Sequence, residues 1–585
     1  MDDKNFLQSI GLYGFRLLDP ENDPAKIKWS VVLYERGTDS NKIRIQADNV
    51  DEPFDMNEGM KLDLGSTAKL RTLVSYLEII SELHRRYAGL APEDLQDLAE
   101  DAPDVLTSWA TTWLIAHPDA TLDQMLQASM ERKYSGDPHE TFFTGGGAHV
   151  FANFEREEDS RIMDLHEAFR DSVNLVFIRL MRDIVNYTIA QGAQTKQELL
   201  DDPDQPARQS YLQRFADSEG TIFLSRFIND YLDLKPDDAL EKLTERGHKG
   251  ATARTILFRS TRPQASYADY VNFMEHHPLR EELGEQRLAQ LYHDYPLERY
   301  NLSDRAYIVG VNPLELWLVG YLQANPHASR RAILEVSQPV RLESYAWLFH
   351  PRLKHAQDTR IRIILEADAF ARIQKRWARL GYPFDRLVPS FATAIGSSAD
   401  RPGALAELVG IILNNGVKLP TVRFETLHFG EGTPYQTVLV HDGAFHDQQV
   451  LDPAITRVVK NVMTEVVDNG TAKRVKGVYK DAAGQSLPVG GKTGTGDQRY
   501  DEFGTGGRLI SSRVMNRTGT FVFYLGDHFF GTITAHVAGD DAADYKFTSA
   551  LSAQMLKALA PIFQPLISGP AATAQSAPVI QTAQP

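Results

Sequence analysis

The sequence predicts an α+β fold: an antiparallel sheet built from strands at the two ends of the chain, with a helical subdomain packed against it and an all-α insertion. Three observations lead there. Residues 29–34 and 42–47, near the start, are rich in Val, Ile and aromatic residues and flank a polar, turn-rich link at 35–41. Near the end, residues 487–493, 521–525 and 528–537 carry the same strand signature. Between these groups the apolar residues recur at helical spacing, cut by Pro and Gly. Two terminal strand groups with helices between them are best buried as one sheet with helices against it.

The elements follow in order. After the first two strands, Leu70, Leu73, Leu77 and Ile80 recur at helical spacing, and no Gly or Pro interrupts residues 66–85. Residues 91–140 read as short helices punctuated by Pro92, Pro103, Pro118 and Pro138. Gly145-Gly146-Gly147 reads as a flexible turn, and residues 164–170 and 175–187 as two helices. From about 190 to 365 the text becomes charged and helical, with expected helices at 211–234, 236–245, 267–276, 280–293, 313–323 and 329–336. No repeat period runs through it.

Residues 387–416 return to small and apolar residues, with a helix expected at 403–415. Residues 421–429 and 435–442 alternate as strands do. The 453–467 helix has clear ends: Asp452 as N-cap, Pro453 as first residue, Gly470 just beyond. After residue 493 a polar, glycine-rich loop is expected to about 518, then a two-residue hairpin turn at Gly526-Asp527 and a helix over 545–560. From Gly569 on, the Ala/Gln/Pro/Ser/Thr mixture reads as a disordered tail.

Composition excludes several functions. The 585 residues are 42% hydrophobic and 24% charged, with a formal net charge of -16. That balance argues against a binder of nucleic-acid phosphates. With no cysteine, thiolate catalysis, disulfides and cysteine metal sites are excluded, and an oxidising compartment suits such a chain. His276-His277, His441 and His446 lack zinc-type spacing, so no metal is expected. Met1 is followed by Asp2, Asp3 and Lys4 with no apolar region, so no leader is read here. No run of about 18 apolar residues occurs.

Three short stretches carry the chemistry. In Ser66-Thr67-Ala68-Lys69, at a helix start, positions three apart bring a hydroxyl and an amine together. A serine needs a base to become a nucleophile, and a lysine serves only if burial or a second positive charge lowers its pKa. Taken alone, Ser-x-x-Lys recurs as an exposed polar pair on many helices. Ser172-Val173-Asn174 stands at a helix start, and alone would be a cap. Gly491-Lys492-Thr493-Gly494-Thr495-Gly496 stands at a strand end. A phosphate-binding loop would need a glycine where Ser486 stands and a helix after it, and finds neither.

Together, in this order, the three resemble the motif set of penicillin-binding proteins and their β-lactamase relatives. Leu64-Gly65-Ser66-Thr67-Ala68-Lys69 is similar to the nucleophile helix of the bifunctional, class A, high-molecular-weight members. Residues 387–416, the 450–470 segment with Thr471-Ala472, and Val489-Gly490-Gly491-Lys492-Thr493-Gly494-Thr495 are similar to their later segments. The match covers roughly 25–190 and 366–560. Departures are Leu70, where the family often has proline, the long separations between motifs, and the long stretch after Thr495. The glycosyltransferase half of the bifunctional members is not present in the sequence.

The resemblance implies a β-lactamase/transpeptidase-like fold in two parts, 1–190 and 366–565, with a helical insertion at 191–365 and a tail at 566–585. It implies a DD-transpeptidase that cross-links peptidoglycan stem peptides through a serine ester. Ser66 is then the nucleophile, Lys69 its base, Ser172 the proton shuttle to the leaving amine, Asn174 a partner of Lys69 and the substrate amide, and Lys492 a positive field. Thr493, Gly494 and Thr495 bind substrate, and the backbone N–H groups of Ser66 and Thr495 form the oxyanion hole. No cofactor is implied. β-Lactams are the implied inhibitors. The charged helical text of the insertion reads as an all-α body packed on the rest or, alternatively, as a docking surface for a cell-wall protein partner; the implied location is periplasmic or extracytoplasmic, with an anchor outside this chain. A DD-carboxypeptidase and a catalytically silent β-lactam-binding scaffold are the alternatives.

Overall fold

The computed structural model describes residues 3–145, 147–192, 196–277, 283–440, 448–503 and 509–569. The chain divides into two compact units, one of residues 1–193 with 366–585 and one of residues 194–365.

In the first unit, strands from the two ends of the chain meet in one α+β framework. The strands are β1 (Lys28–Arg36), β2 (Asn41–Asp48), β3 (Thr421–Val422), β4 (Val489–Phe503), β5 (Leu509–Leu525) and β6 (Phe529–Ala538). Their order across the six-stranded sheet is β4-β5-β6-β1-β2-β3. The join between the ends is the β1–β6 pair, antiparallel with Val32 opposite Thr532. Only the short β2–β3 pairing is parallel. β1 sits in the middle and buries successive residues from Trp29 to Tyr34, as a strand covered on both faces must.

The helices that matter for the site are α1 (Ala68–Tyr87), α2 (Leu165–Asp171), α3 (Asn174–Ala190), α4 (Pro402–Leu413), α5 (Pro453–Asp468) and α6 (Ser549–Ala558). Strand periodicity assigns them to faces. Tyr524 of β5 meets Thr464 of α5, with 2.5 Å between the hydroxyl oxygens. Gly410 of α4 packs on the ring of Phe530, which lies opposite Tyr524 in the register. Ser552 of α6 instead donates to the Gly519 carbonyl at 2.7 Å, on the other side of β5. The sheet is therefore sandwiched, with α4 and α5 on one face and α6 on the other. α1 is buried almost all round. Arg71, 1% exposed, is fixed by the Asp400 carboxylate at 2.6 Å and donates to the Leu380 and Ala404 carbonyls. The expected caps of α5 are present: Asp452 accepts from the Ala454 N–H and Pro453 is the first residue.

Several expectations are corrected. The loop expected up to about 518 is mostly a ribbon, because β4 and β5 run on past Thr495 as a long hairpin pair. Its residues 504–508 lie outside the described residues. The β5–β6 turn has three residues rather than two, since Leu525 pairs with Phe529. The last sheet-packed helix begins at Ser549, capped by the Thr548 side chain, not at 545. The strand pair Thr426–Phe429 and Thr437–Val440 forms a separate two-stranded piece, and residues 441–442 of that expectation, with His441 and His446, lie outside the described residues. So do Gly146, residues 280–282 and residues 570–585, while the helix Ala560–Ser568 runs into the segment expected as tail.

The second unit is all helical among its described residues and has its own core, with Leu224, Ile228, Tyr231, Phe258, Tyr270 and Leu318 buried together. Buried Glu315 accepts from the Tyr231 hydroxyl at 2.6 Å and pairs with Arg246 at 2.8 Å, so its charge is compensated. Helices Ala251–Thr261, Leu302–Val309, Gln338–Ser344 and Lys354–Arg379 were not anticipated from sequence.

Candidate active site

Three chain segments build one cleft in the first unit. The first is the turn into α1. Gly65 has φ +53°, and a Cβ there would fall 2.0 Å from the Thr495 carbonyl oxygen. Only glycine fits both the left-handed backbone and the close approach. Gly65–Thr67 form a single 3-10 turn, so Ser66 lies just before the α-helix rather than on it. The second segment is the α2–α3 corner. Ser172 closes α2 in a left-handed conformation, φ 67°, which costs a non-glycine residue about 1–2 kcal/mol. Asn174 opens α3. The third is β4, the edge strand. A Cβ on Gly494 would meet the Leu64 carbonyl oxygen at 2.0 Å, and one on Gly496 the Asp63 carbonyl oxygen at 1.9 Å. These glycines let β4 lie backbone to backbone along the 63–67 turn.

The predicted polar residues form a connected chain. Lys69 Nζ lies 2.9 Å from Ser66 Oγ, 2.8 Å from Asn174 Oδ1 and 3.2 Å from Ser172 Oγ, and also bonds the Ser172 carbonyl. Lys492 Nζ donates to Ser172 Oγ at 2.7 Å and to the Thr493 carbonyl at 3.0 Å. Ser172 Oγ thus bridges two amines, one of which touches Ser66. Asn174 Nδ2 donates to the Ala152 carbonyl at 3.0 Å, which fixes the amide orientation. Thr493 Oγ1 lies 2.5 Å from Thr471 Oγ1, and Thr495 Oγ1 accepts from the Ser549 N–H at 2.9 Å. Thr495 is tied to Ser549 and not to the lysines, and Gly494 joins the others only by lining the same cleft.

Burial sets the charge states. Lys69 and Lys492 are each 0% exposed. Burial holds Lys69 well below the usual lysine range, and the neighbouring Lys492 pushes the same way, against Glu158. Lys492 is lowered to about 7, again by burial, with Asp171 opposing. A neutral amine has two N–H groups and a lone pair. At Lys69 the two donors suit the Ser172 carbonyl and Asn174 Oδ1, which leaves the lone pair to accept from the Ser66 hydroxyl.

The cleft holds about 360 Å³ and is lined by Ser66, Ser172, Asn174, Thr493, Gly494 and Thr495, and also by residues that sequence patterning did not single out. Glu158, Arg16, Phe154, Glu155, Asp63 and Asp497 are among these. Arg16 ion-pairs with Glu155, and its guanidinium lies 4.9 Å from the Phe154 ring centre. Asp63 is raised to about 6 by burial, and its carboxylate accepts from the Gly65 N–H at 2.9 Å. Among the described residues no group of three or more His, Asp or Glu side chains could hold a metal, and no helix is long and apolar enough to cross a membrane.

No family model matches the sequence. No curated protein matches it either. Solved structures similar to it include a peptidoglycan synthetase from Bifidobacterium adolescentis, at 10% identity and TM-score 0.35 over 94% of this chain and 59% of that one. The chain therefore spans 59% of the length of that protein. PonA1 from Mycobacterium tuberculosis in complex with penicillin V is 11% identical, with TM-score 0.38 over 96% of this chain and 88% of that one. A D,D-transpeptidase domain of a peptidoglycan glycosyltransferase from Eggerthella lenta is 13% identical, with TM-score 0.35 over 92% and 78%. These likenesses are low, and the functional reading stands on the side-chain geometry.

Proposed function

We propose that this protein is a serine acyltransferase in which Ser66 forms the ester. Within that class we propose a penicillin-binding DD-transpeptidase of extracytoplasmic cell-wall synthesis. The observation that carries the reading is the unbroken link Ser66–Lys69–Ser172–Lys492, assembled from three distant segments around one cleft.

Ser66 Oγ attacks the carbonyl between the two terminal D-alanines of a stem peptide, while the Lys69 lone pair takes its proton. Ser172, bonded to both amines, passes a proton to the leaving D-alanine nitrogen. Lys492, charged below about pH 7, supplies the field for the donor carboxylate, with the Thr493 and Thr495 hydroxyls. Asn174 holds Lys69 through Oδ1 and keeps one amide hydrogen for the substrate backbone. The N–H groups of Ser66 and Thr495 stabilise the tetrahedral oxygen, a type of contact worth about 2.7–4 kcal/mol for each donor. Transfer to an amine of a second stem peptide gives the cross-link. A β-lactam follows the same first step and leaves an ester on Ser66.

The test is incubation of the full chain with a D-Ala-D-Ala stem peptide, with and without an amine acceptor. A transpeptidase yields the aminolysis product when the amine is present. Release of D-alanine at one rate in both arms, with no aminolysis product, makes it a carboxypeptidase. No release in either arm, and no label from penicillin, refutes the enzyme reading.

A further inference from the structure

The acylation residues leave several carboxylates of the cleft unused, Glu158 among them. Glu158 ends a single 3-10 turn, Arg156–Glu158. Its backbone is locked: the Arg161 N–H donates to its carbonyl at 3.2 Å, and Gly136 packs so closely that a Cβ there would lie 2.1 Å from that oxygen. The residue is 6% exposed, yet it lines the same cleft as Ser66, Ser172 and Asn174. Its Oε2 is buried and has no hydrogen-bond partner among the described residues. Buried carboxylates normally have every oxygen satisfied, so an uncommitted one lining the same cleft as Ser66 points to a ligand or a proton it has yet to meet.

Its charged surroundings are Lys69, which favours the carboxylate, and Glu155 and Asp171, which oppose it. Burial raises the group to about 7, near the working pH at which a general base is most effective. Lys69, which completes the first half-reaction, is hydrogen-bonded to Ser66 and Asn174.

We propose that Glu158 is the general base of the second half-reaction, removing the proton from the acceptor amine as it attacks the Ser66 ester. This rests on the acyltransferase reading. As the amine nitrogen bonds to the ester carbonyl carbon, its N–H proton passes to the Glu158 carboxylate. The tetrahedral adduct then collapses and the bond from that carbon to Ser66 Oγ breaks. Lys69 takes that proton from Glu158 and passes one to Oγ as the bond breaks, so the amine is never left short of a proton. The cycle closes with the amide product, a serine hydroxyl, a neutral amine and a free carboxylate.

The experiment compares wild type, Glu158→Gln and Glu158→Asp in the full chain. The donor is a stem-peptide ester ending in D-Ala-D-lactate and the acceptor is D-alanine. Rapid quench with intact-protein mass follows the ester on Ser66, and product formation follows turnover. In Glu158→Gln the ester is expected to form within threefold of the wild-type rate and to accumulate, while turnover falls by roughly 100-fold or more. Glu158→Asp, which keeps the carboxylate, is expected between the two, and carries the test if the Gln variant does not fold. Turnover within threefold of wild type overturns the proposal. So does a parallel fall of ester formation and turnover without accumulation, which marks a merely electrostatic role on Lys69. A wild-type protein that forms no ester on Ser66 refutes the acyltransferase reading itself, a separate outcome.

Discussion

Replacing Lys69 by Ala tests the acylation step most sharply. Lys69 Nζ, at 2.9 Å, is the hydrogen-bond partner of Ser66 Oγ among the described residues. Lys492 touches Ser172 rather than Ser66, so it cannot take over directly. Loss of a positioned base slows a step about 10²–10⁴-fold, or about 2.7–5.4 kcal/mol in the barrier. The scaffold should survive. Asn174 keeps its bond to the Ala152 carbonyl at 3.0 Å and Ser172 Oγ keeps Lys492 at 2.7 Å. Each neutral hydrogen bond lost costs about 0.5–1.5 kcal/mol, offset in part because no amine is then desolvated. Lys69→Arg should be as slow as Lys69→Ala, since a guanidinium stays protonated and cannot act as base. The assay is the second-order rate of Ser66 acylation by a fluorescent penicillin, with circular dichroism as the fold control. A folded Lys69→Ala protein that acylates within about tenfold of wild type would refute the assignment.

Three further outcomes follow from the packing and the charge states. Gly494→Ala drives a Cβ onto the Leu64 carbonyl; it should cost about 1–3 kcal/mol by urea unfolding and slow acylation as well, and a neutral result would show that β4 does not need to lie so close. Arg71→Met strands buried Asp400 and should cost about 3–5 kcal/mol, measured the same way; an unchanged midpoint would contradict the buried pair. Acylation by a donor peptide should decline above about pH 7 as Lys492 loses its proton. Lys492→Arg, protonated throughout, should flatten that alkaline limb, and an identical limb in both proteins would remove Lys492 from the role.

Much of the site was legible because its key residues sit at local spacings. Ser66 and Lys69 are three apart at a helix start, and Ser172 and Asn174 straddle a helix boundary. The alternating Gly494 and Gly496 mark a strand whose backbone approaches another. Glu158 was not legible: Glu155-Arg156-Glu157-Glu158-Asp159 reads as a solvated charge run, and the packing of Gly136 on the Glu158 backbone joins residues distant in sequence. Arg16 was missed for the same reason, since Glu155 and Phe154 reach it only through the fold. Past Thr495 the β4–β5 ribbon is mostly polar, and its few apolar residues, such as Leu509, Ile510, Val514 and Met515, follow no strict alternation. Its strands are specified by cross-strand pairing, which no single-strand periodicity records. The sheet core was readable from Val31, Val32 and Leu33 because burial on both faces demands a continuous apolar run.

The central claim is that Ser66, activated by an uncharged neighbouring amine, accepts an acyl group. The direct measurement is peptide mapping of the full chain after exposure to a fluorescent penicillin, with Ser66→Ala alongside. One covalent label on the peptide containing Ser66, absent from the folded Ser66→Ala protein, is the predicted result. A folded wild-type protein that takes no label, or takes it elsewhere and equally in both proteins, would contradict the account.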